Sequence, residues 1–383
     1  MSRMLRVTIL HEPWYSSTGI AFLFPLYVHR RALAAHGVAL RFTTRAEEAF
    51  RATDVLGVTS RFCKHWWRDG GVERVTRWLE DARRAVGRVV WFDLTESTGT
   101  THFAVLPYVD RYAKMQALRD RSGYLQQYIG GRIFTDYYAR LFGVRDSEDV
   151  DAHLAAPADP EHLEKIVVSW NAGLAHYGVL GPKWHHLWHH SRGVLPRWYA
   201  HRWTAPRADR QRALSCRIGT YHHRATVAAP RKELARRLAA HLQTQKIPRA
   251  AFFAEMRQSR ATLSPFGLGD ITLRDFEAVI CGAAVLKQDM GHVETWPDLW
   301  VPGTTYLPFA WDFSDLDARI DDVLCDPQRT IAIAAAAQER YRSALFSSAG
   351  REEFCERFLS YITCLAPSAT SRTAPPAAVR SRA

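Results

Sequence analysis

The chain has 383 residues, of which 47% are hydrophobic and 23% charged, and it carries a net charge of +12 at pH 7. This length predicts two domains of about 150 to 200 residues each, and the composition is that of an ordinary globular protein. No uninterrupted apolar run approaches the roughly 20 residues that span a bilayer, so we do not expect an integral membrane protein. The N-terminus lacks a signal-peptide core, which favours the cytoplasm.

The basic excess is concentrated in one segment. Residues 181–260 contain 17 Lys and Arg against 3 Asp and Glu, so the rest of the chain is close to neutral. Such a segment could contact nucleic acid, anionic lipid headgroups or an anionic donor and acceptor. It could equally be a solvated basic linker and helix.

The first half alternates short strand patterns with helical patterns. An apolar helix follows the first strand to about His36, where Gly37 ends it, and a second helical stretch covers about Gly71 to Val86. This alternation predicts a parallel sheet wound with helices, which is a Rossmann-like domain. The predicted strands are 5–10, 38–43, 54–59 and 88–93.

Polar loops follow the first and fourth of these strands. They cover His11 to Gly19 and Leu94 to Thr101. Ligands of open parallel sheets lie outside the carboxyl ends of the strands, so we expect the acceptor and the catalytic base here, although loop capping or core hydrogen bonds would explain the same residues. The candidate catalytic residues are Asp93, Glu96, His11 and Glu12.

Residues 181–212 contain three prolines, four tryptophans and clustered histidines and arginines, which predicts a crossover between two domains. Paired histidines spaced by four residues could bind zinc on a helix, but no third ligand is evident, so we predict a basic aromatic patch and no metal site. The tryptophans are Trp184, Trp188, Trp198 and Trp203, and the histidines are His185, His186, His189 and His190.

A second strand, loop and helix unit follows the crossover. Residues 213–218 read as a strand, 219–224 as its loop and 231–242 as a helix. The predicted division is a Rossmann-like acceptor domain over residues 1–180, the crossover over 181–212, a Rossmann-like donor domain over 213–350, a final helix over 351–365 and a disordered tail over 366–383.

The stretch 264–294 is the most informative part of the sequence. A Pro and Gly loop leads into a predicted helix, and Asp270, Arg274 and Glu277 are spaced so that they share one face near its start. Backbone N–H groups at a helix N-terminus and an arginine suit a diphosphate, and a carboxylate one turn on suits a ribose diol. Alternatively, Asp270 is the N-cap and Glu277 an ion-pair partner of Arg274.

Residues 264–278 with Gly282 resemble the donor-binding motif of GT-B glycosyltransferases, particularly the bacterial CgeB-like group of surface-polysaccharide clusters. The resemblance extends through 287–316 and more weakly to 217–219 and 231–234, about a third of the chain. It implies an α/β fold of GT-B type, in which two Rossmann-like domains face each other across a cleft. We also expect the C-terminal helix to pack back on the N-terminal domain.

The resemblance also implies site residues. Glu277 would bind the ribose hydroxyls, Arg274 and Thr272 the pyrophosphate, and Asp270 or His292 and Glu294 the donor sugar. The commonest GT-B pattern has two glutamates eight positions apart, whereas here the residue eight before Glu277 is Gly269. The remaining predicted donor-site residues are Gly219 beneath the phosphates, Arg217, Arg224 and Gly267.

We therefore predict a glycosyltransferase that moves a sugar from a UDP- or GDP-sugar to a hydroxyl group of a glycan or lipid-linked saccharide. It would need no cofactor and no essential metal, and it would contact the anionic inner membrane face peripherally. Two alternatives stay open. One is a sugar-nucleotide 2-epimerase of the same architecture, and the other is a catalytically idle scaffold that binds nucleic acid, a partner that we consider less favoured.

Overall fold

The computed structural model describes residues 3–13, 16–147, 154–177, 199, 201–239 and 242–363. Most of the predicted crossover lies outside the described residues, including the four clustered histidines and three of its tryptophans, and so does the predicted tail. The described chain forms two parallel sheets with helices around them. We call these halves the N-terminal lobe and the C-terminal lobe.

The N-terminal lobe contains a six-stranded parallel sheet. Its strands are β1 (Leu5–Leu10), β2 (Val38–Thr43), β3 (Val55–Thr59), β4 (Arg88–Asp93), β5 (Arg111–Lys114) and, after the separate strand β6 (Gln116–Leu118), β7 (Ile166–Val168), in the spatial order β2-β1-β3-β4-β5-β7. The central strands are buried along most of their length, as expected of a parallel sheet covered on both faces. The helices of this lobe are α1 (Ser17–Val28), α2 (Arg30–Ala35), α3 (Lys64–Ala85) and α4 (Ile133–Phe142).

The C-terminal lobe contains a four-stranded parallel sheet. Its strands are β8 (Arg212–Ser215), β9 (Ser259–Leu263), β10 (Ala284–Gln288) and, after the separate strand β11 (Val293–Thr295), β12 (Leu307–Phe309), in the order β12-β10-β9-β8. Its helices are α5 (Ala225–Leu238), α6 (Arg249–Arg257), α7 (Leu273–Ile280), α8 (Leu316–Cys325), α9 (Pro327–Phe346) and α10 (Ser348–Thr363). None of the helices in the described part of the chain is long and apolar enough to cross a bilayer.

The carboxyl ends of the two sheets face each other. The loop after β4 meets the loop after β9, where the backbone N–H of Thr98 donates to the Asp270 carboxylate at 2.7 Å. The two Rossmann-like halves and their facing arrangement confirm the GT-B architecture that the sequence predicted.

Three helix starts differ from the predictions. Helix α3 begins seven residues early and is kinked at Gly71, whose φ of +61° only glycine adopts easily. Helix α5 begins at Ala225 because a carboxylate from the other lobe, Asp146, accepts the backbone N–H of Thr226 at 2.8 Å. Helix α7 begins only at Leu273, so Asp270 lies in the loop before it.

A small antiparallel sheet joins the lobes. Strand β6 of the N-terminal lobe pairs with β11 of the C-terminal lobe. Beside it, the Asn171 side-chain amide donates to Thr295 Oγ1 and to the carbonyl of Pro297, both at 2.9 Å. These hydrogen bonds fix the position of one sheet relative to the other.

The final helix α10 packs back on the N-terminal lobe, as predicted. The Tyr361 hydroxyl donates to the carbonyl of Val168 in β7 at 2.6 Å, and Arg88 of β4 donates to the carbonyl of Ile362 at 3.1 Å. The ring of Phe354 packs against Trp170 with 5.2 Å between centroids. Aromatic burial therefore attaches helix α10 to the N-terminal lobe.

Candidate functional site

Two cavities lie where the lobes meet. The larger, of about 800 Å³, is lined mainly by the N-terminal lobe, and the smaller, of about 240 Å³, is lined by both lobes. Both are lined by Thr95, Glu96 and Leu268. The loop after β4 therefore separates a space on the N-terminal lobe from a space that reaches helix α7.

A buried ion pair fixes the start of helix α7. Asp275 accepts the backbone N–H of Thr272 at 2.7 Å, which makes Thr272 the N-cap. The same carboxylate lies 3.1 Å from the ammonium of Lys287, and both side chains are fully buried. Thr272, a predicted pyrophosphate ligand, thus stands at a rigid helix N-terminus and lines the smaller cavity.

Asp270 joins the lobes and does not cap the helix. Its fully buried carboxylate accepts from the Thr98 backbone and lies 2.7 Å from His292 Nε2. Burial raises the pKa of a carboxyl group, but the hydrogen bonds and charge of His292 and the N–H of Thr98 outweigh burial here and lower the pKa of Asp270. The adjacent Gly269 also lies against the carbonyl of Glu96, where a Cβ would not fit.

Glu277 is buried and forms an ion pair with Arg249 of helix α6 at 3.0 Å, and not with Arg274. Burial raises the pKa of Glu277 although Arg249 opposes the shift. Arg274 is half-buried, with its guanidinium 5.5 Å from the centroid of the Phe252 ring. The structure therefore places Arg274 and Glu277 together on helix α7 and Asp270 apart from them.

Arg231 of helix α5 links the glycine loops of the C-terminal lobe. It donates to the carbonyls of Gly219 and Phe266 at 3.2 and 3.1 Å. Burial lowers the pKa of Arg231, and the nearby charge of Arg274 lowers it further. Among the described residues no carboxylate lies within 4 Å of either guanidinium, so this cationic pair, with Gly219 and Gly267 beside it, can accept an anion.

The other predicted cations of this loop have carboxylate neighbours. Arg217 forms a bidentate pair with Glu255 of helix α6, the shorter contact being 2.6 Å. Arg224 lies 3.7 Å from Asp146 of the N-terminal lobe. The structure thus brings neither residue into the cationic pair.

His292 and Glu294 lie beside the interlobe sheet. His292 contacts Asp270, as described above, and its ring packs edge-on against Trp311 at 5.0 Å. Glu294 forms an ion pair with Arg121 at 2.8 Å. Of the two, His292 lies within reach of the facing loops.

Asp93 is fully buried behind the loop after β4. Its carboxylate accepts from Tyr112, from the Thr95 backbone and from Lys114, whose ammonium is 3.1 Å away. Burial works to raise the pKa of Asp93, but the charges of Lys114 and His102 outweigh it and hold that pKa well below its usual range. This carboxylate stays ionised and organises the loop from beneath.

Glu96 lines both cavities, with its side chain 50% exposed and Arg61 at 3.6 Å. His11 and Glu12 are buried instead, and neither is among the residues that line the two cavities. Burial lowers the pKa of His11 to about 4, so this ring is neutral at pH 7. Of the four candidates for the base, Glu96 is the one that reaches open space between the lobes.

Several residues of the site escaped the sequence reasoning. Arg132 lies outside the motifs, and Arg231 lies in the weakly matching stretch 231–234 but was not predicted to bind the donor. Nothing local distinguishes either residue from a surface arginine. Lys114 and Lys287 carry a signal that could have been used, because each directly follows apolar residues of a buried strand, where a lysine requires a buried partner.

Residues 207–355 match a protein family described as glycosyl transferase-like. This match confirms the predicted resemblance to glycosyltransferases for the C-terminal lobe, while the CgeB-like group stays a prediction. No curated protein matches the sequence.

Solved structures with a similar arrangement include Anabaena Alr3699/HepE in complex with UDP-glucose, at 10% identity and a TM-score of 0.41, covering 94% of this chain and 100% of that chain. A glycosyltransferase from Rickettsia africae ESF-5 has 9% identity and a TM-score of 0.44, with coverage of 94% and 99%. The apo structure of OtsA has 10% identity and a TM-score of 0.44, with coverage of 96% and 100%.

Proposed function

We propose that this protein is a glycosyltransferase that transfers a sugar from a UDP- or GDP-sugar to a hydroxyl group of a glycan or lipid-linked saccharide, a proposal that the glycosyl transferase-like match of residues 207–355 supports. The observation that carries the proposal is the pair Arg231 and Arg274. Arg231 donates to the carbonyls of Gly219 and Phe266, Arg274 stands in the first turn of helix α7, and neither forms an ion pair with a described carboxylate. A diphosphate would neutralise both guanidiniums and accept bidentate hydrogen bonds from them.

The nucleoside would lie along helix α7. Glu277, one turn beyond the N-cap, can accept both hydrogen bonds of a ribose diol. Its partner Arg249 is 58% exposed and can turn toward solvent when the ribose binds. Burial raises the pKa of Glu277, and the ribose hydroxyls would add hydrogen-bond donors to this buried carboxylate.

The reaction would take place beside the loop after β4. In an inverting transfer Glu96 accepts the proton of the acceptor hydroxyl, since it lines both the acceptor-side cavity and the cavity next to helix α7. Arg274 and Arg231 stabilise the charge that develops on the leaving diphosphate. Asp270 and His292 hold the facing loops together around the donor sugar.

The transfer would proceed without an essential metal. Two arginines can neutralise a leaving diphosphate as a divalent cation does in other transferases. Accordingly, we expect EDTA to leave both nucleotide binding and transfer unchanged. Loss of nucleotide binding in EDTA, restored by Mg²⁺ or Mn²⁺, would contradict this part of the proposal.

The test is a thermal-shift screen with UDP, GDP and CMP. A ligand at 100 times its Kd should add about 2.7 kcal/mol of stability. Arg274→Ala and Glu277→Ala should each weaken binding of the preferred nucleotide about tenfold or more, because each removes a charged hydrogen-bond partner. Arg236→Ala is the matched control, since Arg236 is exposed on the helix that carries Arg231 and pairs with Glu233.

Unchanged nucleotide binding in both variants would contradict the proposed donor site. Turnover separates the remaining alternatives, because a transferase releases UDP or GDP only when an acceptor is present. Interconversion of two sugar nucleotides without acceptor would indicate an epimerase. For a lipid-linked acceptor, the basic excess of residues 181–260 supports contact with anionic membranes, which cosedimentation with phosphatidylglycerol vesicles measures against neutral vesicles.

A further inference from the structure

The larger cavity carries more positive charge than a neutral sugar requires. The described residues that line it include a single carboxylate, that of Glu96. The cationic side chains of the lining are Arg61, Lys64, Arg68 and Arg132. None of the predicted donor-site arginines lines this cavity, so its positive charge is separate from that of the proposed donor site.

Two of these cations are already paired. Arg61 lies 3.6 Å from Glu96, and Arg68 forms an ion pair with Asp69 at 2.9 Å. In contrast, no carboxylate of a described residue lies within ion-pair distance of Lys64, which is exposed at the start of helix α3. The free ammonium stands at the rim of the cavity.

Arg132 is the buried cation of this cavity. Arg132 is only 7% exposed. Its guanidinium donates one hydrogen bond, from Nη1 to the carbonyl of Gly130 at 2.9 Å. Its Nε is buried and has no partner among the described residues. Burial lowers the pKa of Arg132 to about 10, and the charge of Arg224 adds to this effect. Leaving the buried Nε–H of a guanidinium without a hydrogen-bond partner is costly.

We infer that the larger cavity binds an anionic group of the acceptor saccharide, a phosphate or a carboxylate, with Arg132 and Lys64 as its ligands. The inference rests on the proposed transferase function and adds the chemical class of the acceptor. An anion would use the free donors of Arg132 and the free charge of Lys64, which a neutral sugar cannot do. Glu96, at the border with the smaller cavity, would then face a hydroxyl of the same acceptor.

The experiment measures acceptor binding by calorimetry with the donor site filled by saturating UDP or GDP. The probes are glucose 1-phosphate, glucuronate and the neutral methyl glucoside. We expect at least one anionic sugar to bind ten times more tightly than methyl glucoside, and the stronger of the two identifies the anion as phosphate or carboxylate. Equal binding of all three would overturn the inference.

The variants Lys64→Glu and Arg132→Gln should each weaken binding of the anionic sugar about tenfold or more. Arg77→Glu is the control, because it makes the same charge change as Lys64→Glu on an exposed position of helix α3 outside the cavity lining. Arg132→Gln should keep the melting temperature of the wild type, since it removes a poorly satisfied buried charge. A marked loss of melting temperature with unchanged sugar affinity would show a structural role instead.

The outcomes separate this inference from the proposed function. If UDP or GDP binds but the anionic sugars bind no more tightly than methyl glucoside, only the inference is wrong. If the affinity for glucose 1-phosphate depends on Arg274 and not on Arg132, the anion occupies the donor site and the inference is again overturned. If neither nucleotide binds, the proposed function fails and the inference fails with it.

Discussion

Each lobe contains a buried lysine that pairs with a buried aspartate, beneath the loop after β4 in one lobe and beneath the loop after β9 in the other. In the N-terminal lobe Lys114 contacts Asp93, and in the C-terminal lobe Lys287 contacts Asp275, both at 3.1 Å and with all four side chains fully buried. Lys114 also donates to the carbonyl of Thr100, and Lys287 to the carbonyl of Ser264. A buried pair gives little net stability, so we interpret these pairs as devices that hold loops in place.

Buried neutral histidines should make the protein sensitive to mild acid. Burial lowers the pKa of His29 to about 4, with a further contribution from Arg351, and similar values apply to His11 and His176. Between pH 6.5 and about 4 the unfolded chain binds protons that the folded chain excludes. The free energy of unfolding should therefore fall as the pH is lowered through this window, on the order of 1 to 2 kcal/mol per histidine by pH 5.

Urea denaturation at pH 7 and pH 5 measures this loss. The variant His29→Gln should show a smaller loss than the wild type by on the order of 1 kcal/mol, because one of the excluded protons is gone. An identical loss in the variant and in the wild type would contradict the assignment to His29.

At the scale of elements, helix N-termini are shared between the lobes. Asp146 follows α4 in the N-terminal lobe, yet its carboxylate accepts from the backbone and the hydroxyl of Thr226 in helix α5 at 2.8 and 3.0 Å. Asp146 therefore acts as an N-cap of helix α5, although it is not adjacent to the helix in sequence. With the N-terminus of α5 occupied in this way, the diphosphate site that we propose lies instead at Arg231, Arg274 and helix α7.

Replacing this cap should weaken the contact between the lobes. Asp146→Ala should lower the free energy of unfolding by about 1 to 2 kcal/mol, the usual effect of losing an N-cap, and Asp146→Asn should cost less because an oxygen acceptor remains. Asp120→Ala is the control, because Asp120 caps a short exposed turn within the N-terminal lobe through the backbone of Ser122. Chemical denaturation that gives the same small loss for both alanine variants would contradict the cross-lobe role.

At the scale of the whole molecule, the two lobes are joined into one folding unit by β6 and β11, by Asn171 and by helix α10. The last of these belongs to the C-terminal part of the sequence but packs on the first sheet. Disrupting α10 should therefore destabilise the N-terminal lobe, although the change lies more than 180 residues from its last strand.

Phe358 is the residue with which to test this coupling. Its ring is fully buried and packs against Trp170 at 6.2 Å between centroids. Phe358→Ala should cost about 3 to 5 kcal/mol, as for other buried aromatic truncations, and calorimetry should show the N-terminal lobe melting first. Leu324→Ala at a 48% exposed position should change stability by no more than about 0.5 kcal/mol. A wild-type-like transition in Phe358→Ala would show that α10 does not brace the first lobe.

Local patterns were sufficient to predict the elements and the class of fold. The strands β1, β2 and β4 have the predicted bounds, and β3 differs by one residue, because each is rich in apolar and β-branched residues and lies next to turn signals. Helix starts were predicted less well. Those of α5 and α7 depend on Asp146 and on the pairing of Thr272 with Asp275, and contacts of this kind are set by tertiary structure.

In the candidate site, too, local patterns predict some features and tertiary contacts decide the others. The sequence by itself determined the two-lobe α/β architecture, the position of the donor motif after β9 and the placement of Arg274 and Glu277 one turn apart, since these follow from short-range periodicity. Only the tertiary structure decided that Arg231 bonds to the loops at Gly219 and Phe266, that Asp270 bonds to the opposite lobe and that Arg132 is buried in a cavity. Such contacts join residues far apart in the chain, and their energies depend on burial and on the distances between charges, which no local pattern specifies.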